Sequence, residues 1–209
     1  MAKMSKKTVS FIIIFVCIAV ISAINLFKGS PRPDPAKSVA ARNKGNPNAV
    51  VQIVEFVDFQ CSFCAQGAKF VRDVFGKHPN DILLEVRYYP LSSHIHGFES
   101  ARYVECAAQQ GKFWDYEEKL FDRQSQWAVL ADATPVLEMI AKDAKLDLPW
   151  LKACLKDKKV DEIIQKSRAE GDALGVKSTP TFFVNGKIAV GTNLLNQELT
   201  KYFNVEKKN

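Results

Sequence analysis

The sequence predicts an α/β domain in the order β-α-β, helical block, β-β-α, behind an N-terminal hydrophobic helix. Three observations carry this reading. Val50–Phe59 is rich in Val, Ile and Phe and reads as a buried strand, and Ile82–Tyr89 reads as a second strand ending at Pro90, with a helical pattern between them. From about Phe98 to Leu174 the apolar positions repeat at helical spacing. Thr181–Val184 and Lys187–Val190 flank Asn185-Gly186, the pair that supplies the positive φ angles of a tight hairpin turn.

The elements follow in chain order. MAKMSKK is short and cationic and precedes 17 residues, Phe11–Phe27, with no charge. That length is near the lower limit for a helix spanning a bilayer and longer than the usual core of a signal peptide. Residues 1–28 are therefore expected to anchor the chain in a membrane, with a cleaved export signal as the alternative. Residues 29–49 carry Pro31, Pro33, Pro35 and Pro47 among small and polar residues, and are expected to be a linker. The domain proper is placed at 50–209, with its helical insertion at about 94–175. Residues 61–77 should form a helix with Phe70, Val71, Val74 and Phe75 on one face. The first two strands and this helix make a βαβ unit, which implies parallel pairing. In the insertion, Phe113, Trp114, Tyr116, Leu120 and Phe121 share a face. Thr134-Pro135 and Asp147-Leu148-Pro149 open helices, and Gly175 stops the last. A short helix over 196–203 closes the fold.

Composition excludes several classes. Hydrophobic residues make up 47% and charged residues 25% of the 209, which is not a disordered chain. The net charge of +6 suggests nucleic acid until it is located. Residues 1–28 carry +4 and 29–49 carry +3, leaving −1 on the domain. Phosphate binding needs clustered cations, so no nucleic-acid partner is expected. The run Lys152, Lys156, Lys158 and Lys159 reads as a solvated helix face.

The chemistry lies in Cys61-Ser62-Phe63-Cys64, at the strand-to-helix junction. There the unpaired N–H groups of the first helical turn favour a thiolate on Cys61, while Cys64 is shielded one turn further in. Such a pair can close a disulfide and exchange it. A zinc site would need a second ligand pair, and Cys106, Cys154, His78, His94 and His96 offer none with suitable spacing beyond His94-x-His96. No metal and no bound cofactor are expected; the redox group is the Cys61–Cys64 disulfide itself.

At Glu55–Cys64, EFVDFQCSFC, and Val176–Gly186, VKSTPTFFVNG, the chain resembles the thioredoxin superfamily, and more closely its DsbA-like branch, over about residues 50–205. The helical block between the motifs marks that branch. The resemblance implies that Pro180 is cis and packs on the active disulfide, and that the Thr179 main chain pairs with extended substrate. It implies that Glu55 is a buried acid serving proton transfer at Cys64; an edge-exposed strand glutamate is the alternative. It also implies partners: unfolded or folding exported proteins as substrates, and a membrane redox partner linked to quinone. Ser62 and Phe63 depart from the usual dipeptide, and Phe63 has no side-chain hydrogen bond to offer the Cys61 thiolate. A reduction potential below the about −120 mV of DsbA is therefore expected.

Cys17 lies in the apolar segment and is expected to be inert. Once Cys61 pairs with Cys64, Cys106 and Cys154 remain, and these are expected to form a structural disulfide, two buried thiols being the alternative. Such bonds persist outside the cytosol, which places the domain on the extracytoplasmic, periplasmic side of the cell membrane. The leading function is a protein disulfide oxidoreductase, most simply a monomer, acting on exported proteins. An isomerase or reductase with the same site is the alternative. A copper-handling module using thiolate and His94, or a purely binding module, is the reading from a different class.

Overall fold

A computed structural model of the chain describes residues 33–203. The apolar segment read as an anchor or export signal, and Cys17 within it, lie outside the described residues. Among the described residues no helix is long and apolar enough to cross a membrane.

The region read as a linker is folded from Asp34 onward. Helix α1 (Pro35–Arg42) is capped by Asp34, whose carboxylate accepts from Ala36 N–H at 2.9 Å. Pro35 does not block it, because the first helical position has no intrahelical N–H bond to lose. Strand β1 (Asn43–Gly45) follows. These elements are held by residues far along the chain. Gln109 donates to Asp34 O at 2.9 Å and accepts from Asp34 N–H at 2.9 Å. Ser38 and Tyr88 both donate to the buried Glu105, and the Arg42 guanidinium donates to Val86 O at 2.8 Å. Local composition shows none of these partners, which is why the stretch reads as a spacer.

The sheet has the order β1-β3-β2-β4-β5. Strand β2 (Val51–Val57) lies at its centre, parallel to β3 (Ile82–Tyr88) and antiparallel to β4 (Thr181–Val184), which pairs with β5 (Lys187–Val190). Being central, β2 is buried on both faces: Ile53 and Val57 join the main core, and Phe56 packs with Tyr89 and Val176 in a smaller cluster. Helix α2 (Ser62–Lys77) connects β2 to β3 and buries Cys64, Ala68, Val71 and Phe75 against the main core. Asn185 and Gly186 take φ values of 48° and 82°, and the Asn185 amide donates to Val50 O at 3.0 Å. The turn residues therefore do what their chemistry predicts.

Between β3 and β4 lie six helices: α3 (Gly97–Gln109), α4 (Phe113–Asp122), α5 (Gln124–Trp127), α6 (Thr134–Asp143), α7 (Leu148–Cys154) and α8 (Lys158–Ala173). Their apolar faces build a core of Phe113, Tyr116, Leu120, Trp127, Leu137 and Ile140, all essentially inaccessible to solvent. A disulfide joins Cys106 of α3 to Cys154 at the end of α7, with both residues fully buried and 48 positions apart. The closing helix differs from the sequence expectation. It is α9 (Gly191–Leu199), starting directly after β5 rather than at Asn196. Gly191 turns the chain with a φ of 74° and its N–H donates to Pro180 O at 2.9 Å, so the helix begins at that turn.

Candidate active site

Strand β2 ends at Val57, and the chain makes a tight turn from Asp58 to Cys61 in which Cys61 N–H donates to Asp58 O at 3.1 Å. Cys61 is the residue that caps α2, with extended φ and ψ of −73° and 121°. Its carbonyl accepts from Cys64 N–H at 3.0 Å and Ala65 N–H at 3.2 Å, which starts the helix. Its sulfur therefore sits at the positive end of the helix, beside unpaired N–H groups. Cys61 is 6% exposed and Cys64 is sealed at 0%; both are free thiols here.

The two sulfurs are driven apart electrostatically. The Cys61 thiol is lowered from 9.0 to about 5. The hydrogen bond from the Cys64 thiol is the main cause, aided by Thr179 and the backbone N–H groups of Cys64 and Phe63, and opposed by burial. Cys64 is pushed well above its ordinary value, first by burial and then by its bond to Cys61. One cysteine is thus a thiolate at neutral pH and its partner is a protonated thiol.

The second motif meets the first here. The Thr179–Pro180 peptide is cis, and Cys61 Sγ lies 3.4 Å from Thr179 O. Gly67, one turn beyond Cys64 on α2, makes this approach possible: a Cβ there would lie 3.3 Å from Pro180 Cγ. Beside the pair runs a groove of about 490 Å³, lined by Phe63, Ser178, Thr179, Pro180, Val190 and Thr192, with no charged side chain in its wall. Phe63 is 66% exposed at its rim and Ser62 is exposed.

Glu55 is buried rather than edge-exposed, at 4%. It opens into a cavity of about 180 Å³ shared with Ala68, Arg72, Lys44 and Glu117. Ala68 is one turn from Cys64 on the same face of α2, so the cavity begins one helical turn beyond the buried cysteine. Glu55 Oε1 has no hydrogen-bond partner. Its carboxyl is pushed up to about 8, mainly by desolvation and further by Glu117. Glu117 is itself pushed up to about 7 by burial, against the pull of Arg72 and Lys44.

Several residues at the site were not singled out in the sequence. Asp58 is buried and accepts from Gln60 N–H at 2.8 Å and Leu91 N–H at 2.7 Å. Its second oxygen also lies 2.8 Å from His94 Nδ1, so His94 is held at the catalytic turn. Among the described residues no three His, Cys, Asp or Glu side chains are grouped as metal ligands. Gln60 and Gln124 bind each other's segments: Gln60 donates to Ala128 O at 2.7 Å, and Gln124 donates to Phe59 O at 2.8 Å and Cys61 O at 3.0 Å. Asp58 and Gln60 could have been suspected from their place in the EFVDFQC motif. Gln124 and Glu117 carry no local signal, since only the folded insertion brings Gln124 to the turn and Glu117 to the Glu55 cavity.

Comparison with known proteins agrees with this architecture. The family profile described as Thioredoxin matches residues 37–203. A thioredoxin-like oxidoreductase from Silicibacter pomeroyi superposes with a TM-score of 0.66 at 23% identity, covering 84% of this chain and 99% of its own. Alpha-DsbA1 from Wolbachia pipientis gives 0.67 at 21%, covering 77% and 89%. Oxidised BdbD from Bacillus subtilis gives 0.65 at 22%, covering 84% and 98%. Among curated proteins, the Na(+)/H(+) antiporter NhaA of Herminiimonas arsenicoxydans is 34% identical over 144 residues, which is 69% of this chain and 22% of the relative. The Na(+)/H(+) antiporter NhaA 1 of Mycolicibacterium gilvum is 31% identical over 153 residues, 69% of this chain and 23% of the relative. The chain thus spans under a quarter of the length of these curated relatives. From the family match and the shared architecture, the chain belongs to the thioredoxin family and has the fold of the DsbA-like thiol–disulfide oxidoreductases.

Proposed function

We propose that the chain oxidises cysteine pairs in exported proteins, on the extracytoplasmic side of a membrane. The observation that carries this is the split between the two thiols. A Cys61 thiolate stabilised to about 5 makes the reduced form of the enzyme stable, so its disulfide is a good electron acceptor. The reaction begins with a substrate thiolate attacking Cys61 Sγ of the Cys61–Cys64 disulfide. A mixed disulfide forms and Cys64 leaves as a thiolate. Burial disfavours that charge, so Cys64 takes a proton, and Glu55 is assigned as the acid that supplies it, a reading supported by its burial and its raised carboxyl. A second substrate thiolate then attacks the substrate sulfur. Cys61 leaves as a stable thiolate, and two electrons have passed from substrate to enzyme.

The neutral groove supports extended polypeptide lying along Thr179 and cis-Pro180. Reoxidation is assigned to a membrane partner passing electrons to quinone. The buried Cys106–Cys154 disulfide supports an oxidising compartment. Relatives named as antiporters support work beside a membrane protein. Cation exchange is not proposed, because the chain matches under a quarter of those proteins.

The test is oxidation of a dithiol peptide by the oxidised full chain, followed by the redox state of Cys61 and Cys64 in intact cells by thiol trapping. Stoichiometric peptide oxidation, its loss in Cys61→Ser, and a mostly oxidised pair in cells are expected. A pair held mostly reduced would overturn the oxidase direction in favour of reduction or isomerisation.

A further inference from the structure

The turn from Asp58 to Cys61 belongs to neither strand nor helix; one backbone bond closes it, and side chains hold it in place. One of these is Gln124, 63 residues further along the chain in the helical insertion. Gln124 is buried, 9% exposed, and its amide nitrogen donates to Phe59 O at 2.8 Å and Cys61 O at 3.0 Å. Both amide hydrogens are therefore committed to the two carbonyls that bracket Gln60. Gln60 returns the contact by donating to Ala128 O at 2.7 Å and accepting from His96 N–H at 2.6 Å. The Cys61 carbonyl already accepts from Cys64 N–H and Ala65 N–H. Gln124 is an additional donor there, not one the helix needs. A carbonyl on the same residue as the reacting sulfur places partial negative charge beside it, and a donor on that oxygen draws the charge away.

We propose that Gln124 is a positioning residue for the redox pair: its amide locks the turn that carries Cys61 and draws carbonyl charge away from the sulfur, so that the helical insertion tunes the thiolate. This rests on Cys61 being the sulfur that forms the mixed disulfide and leaves as a thiolate, as proposed above. Gln124 touches no reacting atom and acts through the main chain of Phe59 and Cys61.

The experiment compares the full chain with Gln124→Met, which keeps the length and removes the donor, and Gln124→His, which keeps one donor. Thiolate formation is followed by absorbance at 240 nm against pH, and disulfide content by equilibration with glutathione. Because the amide bonds the carbonyl and not the sulfur, only part of an ordinary net hydrogen bond differs between thiol and thiolate, and its loss raises the thiolate midpoint by up to about 0.5 unit. The same loss moves the glutathione equilibrium up to about threefold toward the enzyme disulfide, with the His variant between. A variant that folds less stably but titrates like the parent overturns the proposal, since a purely structural role would do that. Should Gln124→Met not fold, the nitrogen resonance of the Gln124 side chain in the unaltered protein decides. It is expected to titrate with Cys61, and a flat trace overturns the proposal. Failure of the earlier reading looks different, because peptide oxidation by the unaltered chain would then be absent or would survive Cys61→Ser.

Discussion

Replacing Glu55 by Gln should stabilise the protein, and increasingly so as pH rises. The carboxyl moves from 4.5 when solvated to about 8 in the fold, chiefly through desolvation and then through Glu117. Between those values the unfolded chain has released the proton and the folded chain has kept it. The folded state therefore binds more protons, and stability falls by about 1.4 kcal/mol per pH unit across that window. For a raised carboxyl the sign is opposite to that of an ion-paired one: the penalty is absent below the solvated value and complete above the folded value. The penalty comes to about 1 kcal/mol at pH 5 and roughly 3 kcal/mol at pH 7. Glu55→Gln keeps the shape and removes the proton uptake, at the cost of one amide beside an already unpaired position. Urea unfolding of both proteins, fully reduced, at a series of pH values from 5 to 8 measures the difference directly. The two stabilities should lie close together at the acid end and diverge in favour of the variant. Parallel curves would mean that Glu55 titrates alike in both states, and would refute the desolvation argument. The same variant should slow peptide oxidation if Glu55 supplies the proton for Cys64, so stability and turnover are expected to move in opposite directions.

Three further outcomes are expected. Iodoacetamide labelling read by mass spectrometry should modify Cys61 with a midpoint near pH 5 and leave Cys64 untouched at neutral pH, since the first thiol is lowered and the second raised; equal labelling would contradict the split. The lowered Cys61 stabilises the folded dithiol fully above its ordinary 9.0, and that stabilisation is lost as pH falls through about 5. Removing the Cys106–Cys154 bond as a double Ala variant should lower stability by about 4 kcal/mol, from the closure entropy of its loop; a change below about 1 kcal/mol would count against it. Gly67→Val should push the cis-Pro180 loop off the cysteine pair, because even a Cβ comes within 3.3 Å of Pro180. Turnover in steady-state peptide oxidation should drop on the order of 10–100-fold, as expected for a displaced reacting geometry.

The parts of the fold visible in the sequence were those encoded by neighbours. Val50–Phe59 had its strand composition, Asn185-Gly186 its turn, and Asp147 its cap, which accepts from Trp150 N–H at 3.0 Å. The Cys61–Cys64 spacing at a strand-to-helix junction was enough to place the redox pair. What stayed hidden depends on partners distant in sequence. Helix α1 looked like spacer because Gln109, 75 residues away, supplies the groups that pin its start. Glu55 had two readings because its burial depends on α2 and α4, which bring Ala68 and Glu117 against it. Gln124 looked like any polar residue between helices until the insertion folded onto the catalytic turn. A local pattern can show which residue reacts; the residues that support it come from tertiary packing.

The two cysteine pairs also respond to different conditions. Cys61 keeps 6% of its surface exposed beside the groove, so reagents and partners reach the first pair through that one sulfur. Cys106 and Cys154 are sealed at 0% exposure within the insertion, out of reach of an attacking thiol until those helices open. A thiol that cycles Cys61 therefore leaves the staple of the insertion untouched, and the scaffold outlasts each turnover of the site.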